Sequence, residues 1–204
     1  MPRSVAEFLA RETELHHLAE NSPGAEFLCV WESPVPAVVL GRSADAAVDV
    51  DEASCNRAGV PIVRRESGGG TVLLGPGCLN YTLILSLDLR PALRDVNESY
   101  AGILGAVARA AVVHGSDRNG TDLTVGNRKF GGCAQRRRRH TILHHGTILC
   151  GFRIEDTSRF LREPRRQPAY RCGRRHHDFL TNVRIDPAFG DRIREQFPGV
   201  QWIE

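Results

Sequence analysis

Residues 64–81 read RRESGGGTVLLGPGCLNY, two glycine-rich stretches set among runs of β-branched and apolar residues. Three glycines in a row are too costly in backbone entropy for a helix interior, so this part of the chain must be strands joined by loops. The reading is a strand at 62–65, the glycine loop, a strand at 71–74, a GPG turn at 75–77 and a strand at 79–87, together a strand-loop-hairpin unit. A loop without side-chain bulk lets a ligand approach the backbone, and Arg64 and Arg65 offer forked donors to carboxylate or phosphate. The loop is neither a GxxxxGK[ST] phosphate loop nor a GxGxxG dinucleotide loop.

The rest of the chain supplies more strands and the helices to cover them. Val5, Phe8, Leu9, Leu15 and Leu18 have helical spacing over 4–20 and suit one buried face. FLCVWE (27–32) and AVVLG (37–41), separated by SPVP, read as strand, turn and strand. A helix is predicted over 49–58, a long apolar-periodic helix over 95–113, and short closing helices over 156–162 and 187–197, with strands at 122–125 and 140–150. The result is an α+β fold, a mixed but mainly antiparallel sheet covered by helices, in one domain over 1–204 with no appended accessory domain.

Composition narrows what such a domain does. With 41% hydrophobic residues and no run of about 18 apolar residues, the expectation is a protein without a membrane partner. An N-terminus broken by charges every few residues lacks a secretory signal, which implies a cytoplasmic protein. Six cysteines without a CxxC pair argue against a zinc cage or disulfide framework, and no metal ligands are assigned. Arginine clusters at 136–139 and 162–175 offer docking to something anionic, but with 6% aromatic residues stacking platforms are sparse, so nucleic acid is not the expected partner. Among 27 basic Lys and Arg residues the single lysine is Lys129. A compact ammonium kept where arginine serves everywhere else is a candidate for chemistry. It stands beside a glycine pair in residues 126–150, GNRKFGGCAQRRRRHTILHHGTILC, where an ammonium can neutralise a phosphate and polarise a carbonyl.

These two segments, RRESGGGTVLLGPGCLNY and KFGGCAQR with ILHHGTIL, resemble the lipoate-protein ligase A family of the wider biotin and lipoate ligase catalytic domains. VVLGRS (38–43), GVPIVRR (59–65) and FLTNV (179–183) extend the resemblance over nearly the whole chain. It implies a two-step reaction: lipoate attacks the α-phosphate of ATP, with Mg2+ as the nucleotide's ion, and an acceptor lysine then attacks lipoyl-AMP. Implied acceptors are the lipoyl domain of a 2-oxoacid dehydrogenase E2 or of a glycine cleavage H-type protein, with a separate accessory chain as a further partner. By carry-over Lys129 meets the acyl carbonyl and phosphate, and Arg65 the anionic groups. Ser67, Gly68, Gly69, Gly70, Gly77, Cys78, Asp122, Gly132, His145 and Gly146 line the acyl and nucleotide slot.

Departures from the family pattern keep alternatives open. Cys78 stands where the family has Asn, Leu74 where a histidine is common, and Gly131, Gly132 and Cys133 follow the lysine where a Ser-Gly pair is usual. Each swap removes a polar contact. Related octanoyltransferases use a cysteine thioester instead of ATP, and Cys133, Cys150 and Cys172 are the available thiols. A binding-only relative is the remaining reading. Adjacent His144 and His145 on a strand must face opposite sides, so one is structural, while His176 and His177 read as surface residues of a basic loop.

Overall fold

The computed structural model describes residues 4–203. Helix α1 (Val5–Asn21) begins where Ser4 caps it, the hydroxyl accepting from the Glu7 amide while the Glu7 carboxylate accepts from the Ser4 amide. Its buried face is Val5, Leu9, Glu12, His16 and Ala19, so two polar residues sit on the inner stripe, and Leu18, expected inside, is exposed.

Strands β1 (Phe27–Glu32), β5 (Cys78–Ser86), β6 (Ser116–Asn119), β7 (Asp122–Val125), β8 (Arg128–Arg137), β9 (Thr141–Leu149) and β10 (Gln201–Ile203) form one sheet in the order β10-β1-β5-β9-β8-β7-β6. Only the β1–β10 pair is parallel. Strands β2 (Ala37–Leu40), β3 (Ile62–Arg64) and β4 (Val72–Leu74) make a second sheet in the order β3-β2-β4. The expected hairpin at the GPG turn is therefore corrected: β4 pairs with β2 and β5 with β1 and β9, so the turn carries the chain from one sheet to the other. The strand length in 79–87 needed two neighbours, and β1 and β9 are long enough to supply them.

Of the remaining helices, the expected one over 49–58 is divided into α2 (Ala46–Asp49) and α3 (Glu52–Ala58), because the side chains of Asp45 and Asp51 each cap a separate start. Helix α4 (Val96–Ala111) is the long one, followed by α5 (Glu155–Phe160), α6 (His176–Phe179) and α7 (Phe189–Gln196). Alternation along the strands sorts the two faces of the large sheet. Tyr81, Leu83 and Leu85 of β5 and Ile142 and Ile148 of β9 pack with Ile103, Leu104 and Val107 of α4. Their neighbours Ile84 and Leu143 face α1 with Ala19 and Phe27. None of the helices formed by the described residues is long and apolar enough to cross a membrane.

The lysine segment holds the main surprise. Residues 128–137 are strand, not a glycine loop, and the pairing slips by one residue between Leu123 and Thr124. Leu123 pairs with Gly131 and Thr124 with Lys129, leaving Phe130 as the extra residue of a β-bulge. Strand side chains alternate, so this one residue puts Lys129 on the same face as Gly132 and Asp122, the face that α1 covers. Phe130 itself fills the core under α4.

Candidate functional site

At one end of the α1-covered face lies the glycine loop. Arg65 is 8% exposed and four of its five guanidinium N–H groups are engaged: Nε donates to Ser67 Oγ at 2.9 Å, Nη2 to the carbonyls of Gly68 at 2.7 Å and Gly70 at 2.8 Å, and Nη1 to the Val39 carbonyl at 3.4 Å. Burial lowers its pKa to about 10, against a smaller opposing pull from Glu12, so it stays charged at neutral pH. Arg64 spreads over the carbonyls of Gly41, Arg42 and Ala44. Arg65 thus shapes the loop from inside, its donors turned to the loop's own carbonyls and hydroxyl.

Ser67 carries the network onward. The Glu12 Oε2 carboxylate oxygen can only accept, so His145 Nδ1 at 2.9 Å carries the proton of a neutral imidazole, and Nε2 then accepts from the Ser67 hydroxyl at 2.6 Å, whose oxygen also accepts from Arg65. The Thr82 hydroxyl donates to the other Glu12 oxygen. The connectivity matches a serine-hydrolase triad, yet Ser67 is 0% exposed and already accepts from a guanidinium, so it cannot serve as a nucleophile. The array instead ties α1, β5, β9 and the loop together. Gly69 (φ 89) is the one member of the triplet that needs to be glycine, while a side chain on Gly68 or Gly70 would meet nothing within 4 Å. The loop therefore borders open space at two of its three glycines.

At the other end stands Lys129. Its Nζ lies 2.6 Å from Asp122 Oδ1, and Tyr170 donates to Asp122 Oδ2 at 2.7 Å. Lysine and aspartate side chains are 27% and 10% exposed. Gly132 makes the pair possible, since a Cβ there would lie 2.7 Å from Lys129 Nζ and 3.3 Å from Asp122 Oδ1. An ammonium has three protons, and one bond to Asp122 leaves two to offer. The two ends are joined by β8: a Cβ on Gly69 would touch Ala134 at 3.9 Å, and Ala134 is two residues from Gly132, about 7 Å of extended strand.

Of the residues named from sequence, Arg65, Ser67, Gly68, Gly69, Gly70 and His145 are thus gathered at one end, and Lys129, Asp122 and Gly132 at the other. Three lie elsewhere. Gly77 (φ 81) packs against the Gly151–Phe152 backbone, where a Cβ would come within 2.4 Å. Gly146 makes room for the Tyr81 ring on the α4 side. Cys78 is fully buried in the second core with Val38 and Leu73. His144 and His145 do face opposite sides: His144 is fully buried beside Tyr81, Tyr100 and Gln135, and burial lowers its pKa to about 3. His176 is corrected from surface to interior, 7% exposed beside Glu163 and the Arg162 carbonyl, while His177 is exposed.

Two of the three candidate thiols are half-buried, which disfavours their thiolates. Cys133 alternates onto the face opposite Lys129, paired with Gly146 in the row of Tyr81, and burial raises its pKa to about 12. Cys150 is raised to about 11 by burial, and Cys172 is exposed with its Sγ 3.2 Å from the Ala169 carbonyl. Sequence reasoning missed Glu12, Thr82 and Tyr170. A carboxylate on the inner stripe of α1 was the available signal for Glu12; Tyr170 lies in an arginine-rich stretch without periodicity.

Among known proteins, residues 4–184 match the family model for the lipoyl protein ligase A/B catalytic domain. A lipoate-protein ligase A of Blochmanniella floridana is 32% identical over 139 residues, covering 66% of this chain and 39% of the relative. Octanoyltransferase LipM of Carboxydothermus hydrogenoformans is 31% identical over 180 residues, covering 78% and 66%. A mitochondrial lipoyl amidotransferase of Homo sapiens is 30% identical over 162 residues, covering 78% and 42%. The matches thus span between about two fifths and two thirds of these relatives. The fold follows a crystal structure of lipoate-protein ligase A bound with ATP at TM-score 0.77 and 18% identity, over 100% of this chain and 86% of that one. A bi-partite lipoate protein ligase from Thermoplasma acidophilum gives 0.75 and 17% over the same shares. Ligases and acyltransferases stand side by side among these relatives. The chain belongs to the lipoyl protein ligase A/B catalytic domain family.

Proposed function

We propose that residues 1–204 act as one catalytic domain, a cytoplasmic lipoate-protein ligase that activates lipoate with ATP and passes the lipoyl group to a lysine of an acceptor lipoyl domain. The observation that carries this reading is Lys129, an ammonium fixed on Asp122 with two protons to spare, on the sheet face whose Ala134 meets the glycine loop. Such a cation can hold a phosphate oxygen and a carbonyl oxygen together, so that charge developing during acyl activation finds a donor already in place. The loop, held rigid by Arg65, would position the acyl and phosphate groups with its backbone, which removes much of the entropic cost of bringing two reactants together. Among the described residues no three of His, Cys, Asp and Glu stand together as a metal site, so magnesium would arrive with the ATP phosphates, its usual ligands in such enzymes.

ATP as co-substrate is supported by the thiols. Burial holds Cys133 and Cys150 near 12 and 11, so neither supplies much thiolate at neutral pH to open a thioester, and the exposed Cys172 is the thiol left to a transferase. The second reading, octanoyl transfer from acyl carrier protein, is favoured by the likeness to octanoyltransferase LipM. The acceptor in either case would be an E2 or H-type lipoyl domain; the Thermoplasma system that shares this fold includes its E2 lipoyl domain.

The test is the intact mass of an apo lipoyl domain after incubation with the protein, lipoate, ATP and Mg2+, beside a tube supplying octanoyl acyl carrier protein. An ATP-dependent lipoyl gain is expected. A gain only in the carrier-protein tube replaces the ligase by the transferase, and none in either removes both.

A further inference from the structure

Tyr170 reaches Lys129 from a distant part of the chain. Residues 161–182 run from α5 across the open end of β7 and β8 and are pinned at many points. Leu161 bridges to Val50 and Leu180 to Lys129, while the Thr181 amide donates to the Lys129 carbonyl at 2.9 Å. Arg128 donates to the carbonyls of His177 and Leu180, and Arg174 to those of Asn127 and Tyr170. Arg171 lies 4.7 Å over the Phe179 ring and Arg174 5.4 Å, with Arg171 also bonded to Glu163. The Tyr170 and Phe179 rings meet at 5.2 Å, tilted 44° to each other. All this fastening places one side chain, the Tyr170 phenol, against the carboxylate oxygen of Asp122 that Lys129 leaves free.

We propose that Tyr170 is a positioning residue that acts through Asp122, fixing the carboxylate so that it holds the Lys129 ammonium in place on the α1 face. The inference rests on the proposed role of Lys129. A carboxylate on a single-bonded stem rotates unless both oxygens are engaged; with Tyr170 on one and Lys129 on the other, its plane is set. The phenol is the right donor for this. Burial first, and then the bond to Asp122, push its ionisation well above the usual tyrosine range, so it remains a donor throughout the working pH range. The strap and the lysine are thereby coupled: a displacement that lifts Tyr170 off also loosens the ammonium.

Because the chain has one lysine, the coupling is measurable without any assumption about the reaction. An ammonium bound to a carboxylate has no lone pair, so its acetylation by a small N-hydroxysuccinimide ester, read by peptide mass at residue 129, reports how firmly it is held. Asp122→Asn should raise that rate about tenfold, because the amide cannot replace the charged hydrogen bond that pins the ammonium. Tyr170→Phe should raise it about threefold, and the double variant should match Asp122→Asn alone, since the phenol then has no carboxylate to fix. Melting temperatures of all three should stay near that of the unaltered protein. A Tyr170→Phe rate equal to the unaltered protein's, or independent effects in the double variant, overturns the proposal. In the acyl-transfer assay Tyr170→Phe should lower kcat several-fold with the acceptor KM unchanged. If the unaltered protein transfers no acyl group, the functional reading fails while the acetylation rates still decide the coupling.

Discussion

The two ends of the α1-covered face are built on opposite terms. At the glycine loop four of the five guanidinium N–H groups of Arg65 go to Ser67 Oγ and to the carbonyls of Val39, Gly68 and Gly70, and Ser67, His145, Glu12 and Thr82 continue a chain in which each polar group has a partner. At the lysine end one carboxylate serves an ammonium and a phenol, and the ammonium keeps spare donors. A saturated network resists change and gives shape; an unsaturated one is free to meet something new. Charge alone does not separate scaffold from chemistry here, since both ends carry a cation, Arg65 buried and Lys129 half-buried.

The largest effect that would sharpen the contrast is at the unsaturated end. Lys129→Arg should lower acyl transfer about a thousandfold, roughly 4 kcal/mol of lost transition-state stabilisation, with an unchanged melting temperature. Normal turnover would end the assignment of Lys129. At the saturated end the sign should reverse: Arg65→Met strands the Gly68 and Gly70 carbonyls and Ser67, and denaturant titration should show a loss of about 3 kcal/mol of stability. An Arg65→Met protein as stable as the unaltered one would erase the distinction.

Acid should attack the scaffold side next. His16 is fully buried and burial lowers its pKa to about 4, with Arg138, His17 and Arg136 pushing the same way and Glu20 opposing; Glu66 of the glycine segment lies 3.8 Å away. His144 is held near 3. Folding keeps both neutral, so their contribution is whole above the unfolded pKa of about 6.5 and is lost as pH falls toward the folded values. Stability should drop by about 2.5 kcal/mol between pH 7 and 5.5, and His16→Leu should flatten half of that slope. The smallest effect is Gly132→Ala, whose methyl would press on Lys129 Nζ: about a tenfold loss of kcat with little change in stability. Equal activity would mean that Lys129 has other room to sit.

Sequence made much of this legible, for reasons that particular residues explain. The long strands and α4 carry strong periodicity, and the α+β class with a mainly antiparallel sheet followed from them. The glycine triplet and the lone lysine pointed to both ends of the site. What stayed hidden depended on pairing. GPG at 75–77 looks the same whether it closes a hairpin or passes between sheets, and nothing local says that β5 has β1 and β9 for neighbours. Strand β8 was masked by Gly131, Gly132 and four arginines; the arginines survive there because Arg137 reaches the carbonyls of Leu93 and Arg94, and Arg138 sits against Glu66. Glu12 falls on the buried stripe of α1, but a lone carboxylate there says nothing of its partners His145 and Thr82 across the sheet.

The bulge at Phe130 works as a parity operation. Strands count in twos, so one inserted residue exchanges which half of a strand belongs to which side of the molecule. Without it Lys129 would fall in step with Gly131 and Cys133 and sink into the layer under α4, and the only lysine of the chain would be a buried charge without Asp122. Substitution would be a long route between those two placements, since every residue from 128 to 131 would have to change character. A single-codon insertion or deletion is a short one, which makes the length of this segment, and not only its composition, a heritable part of the site.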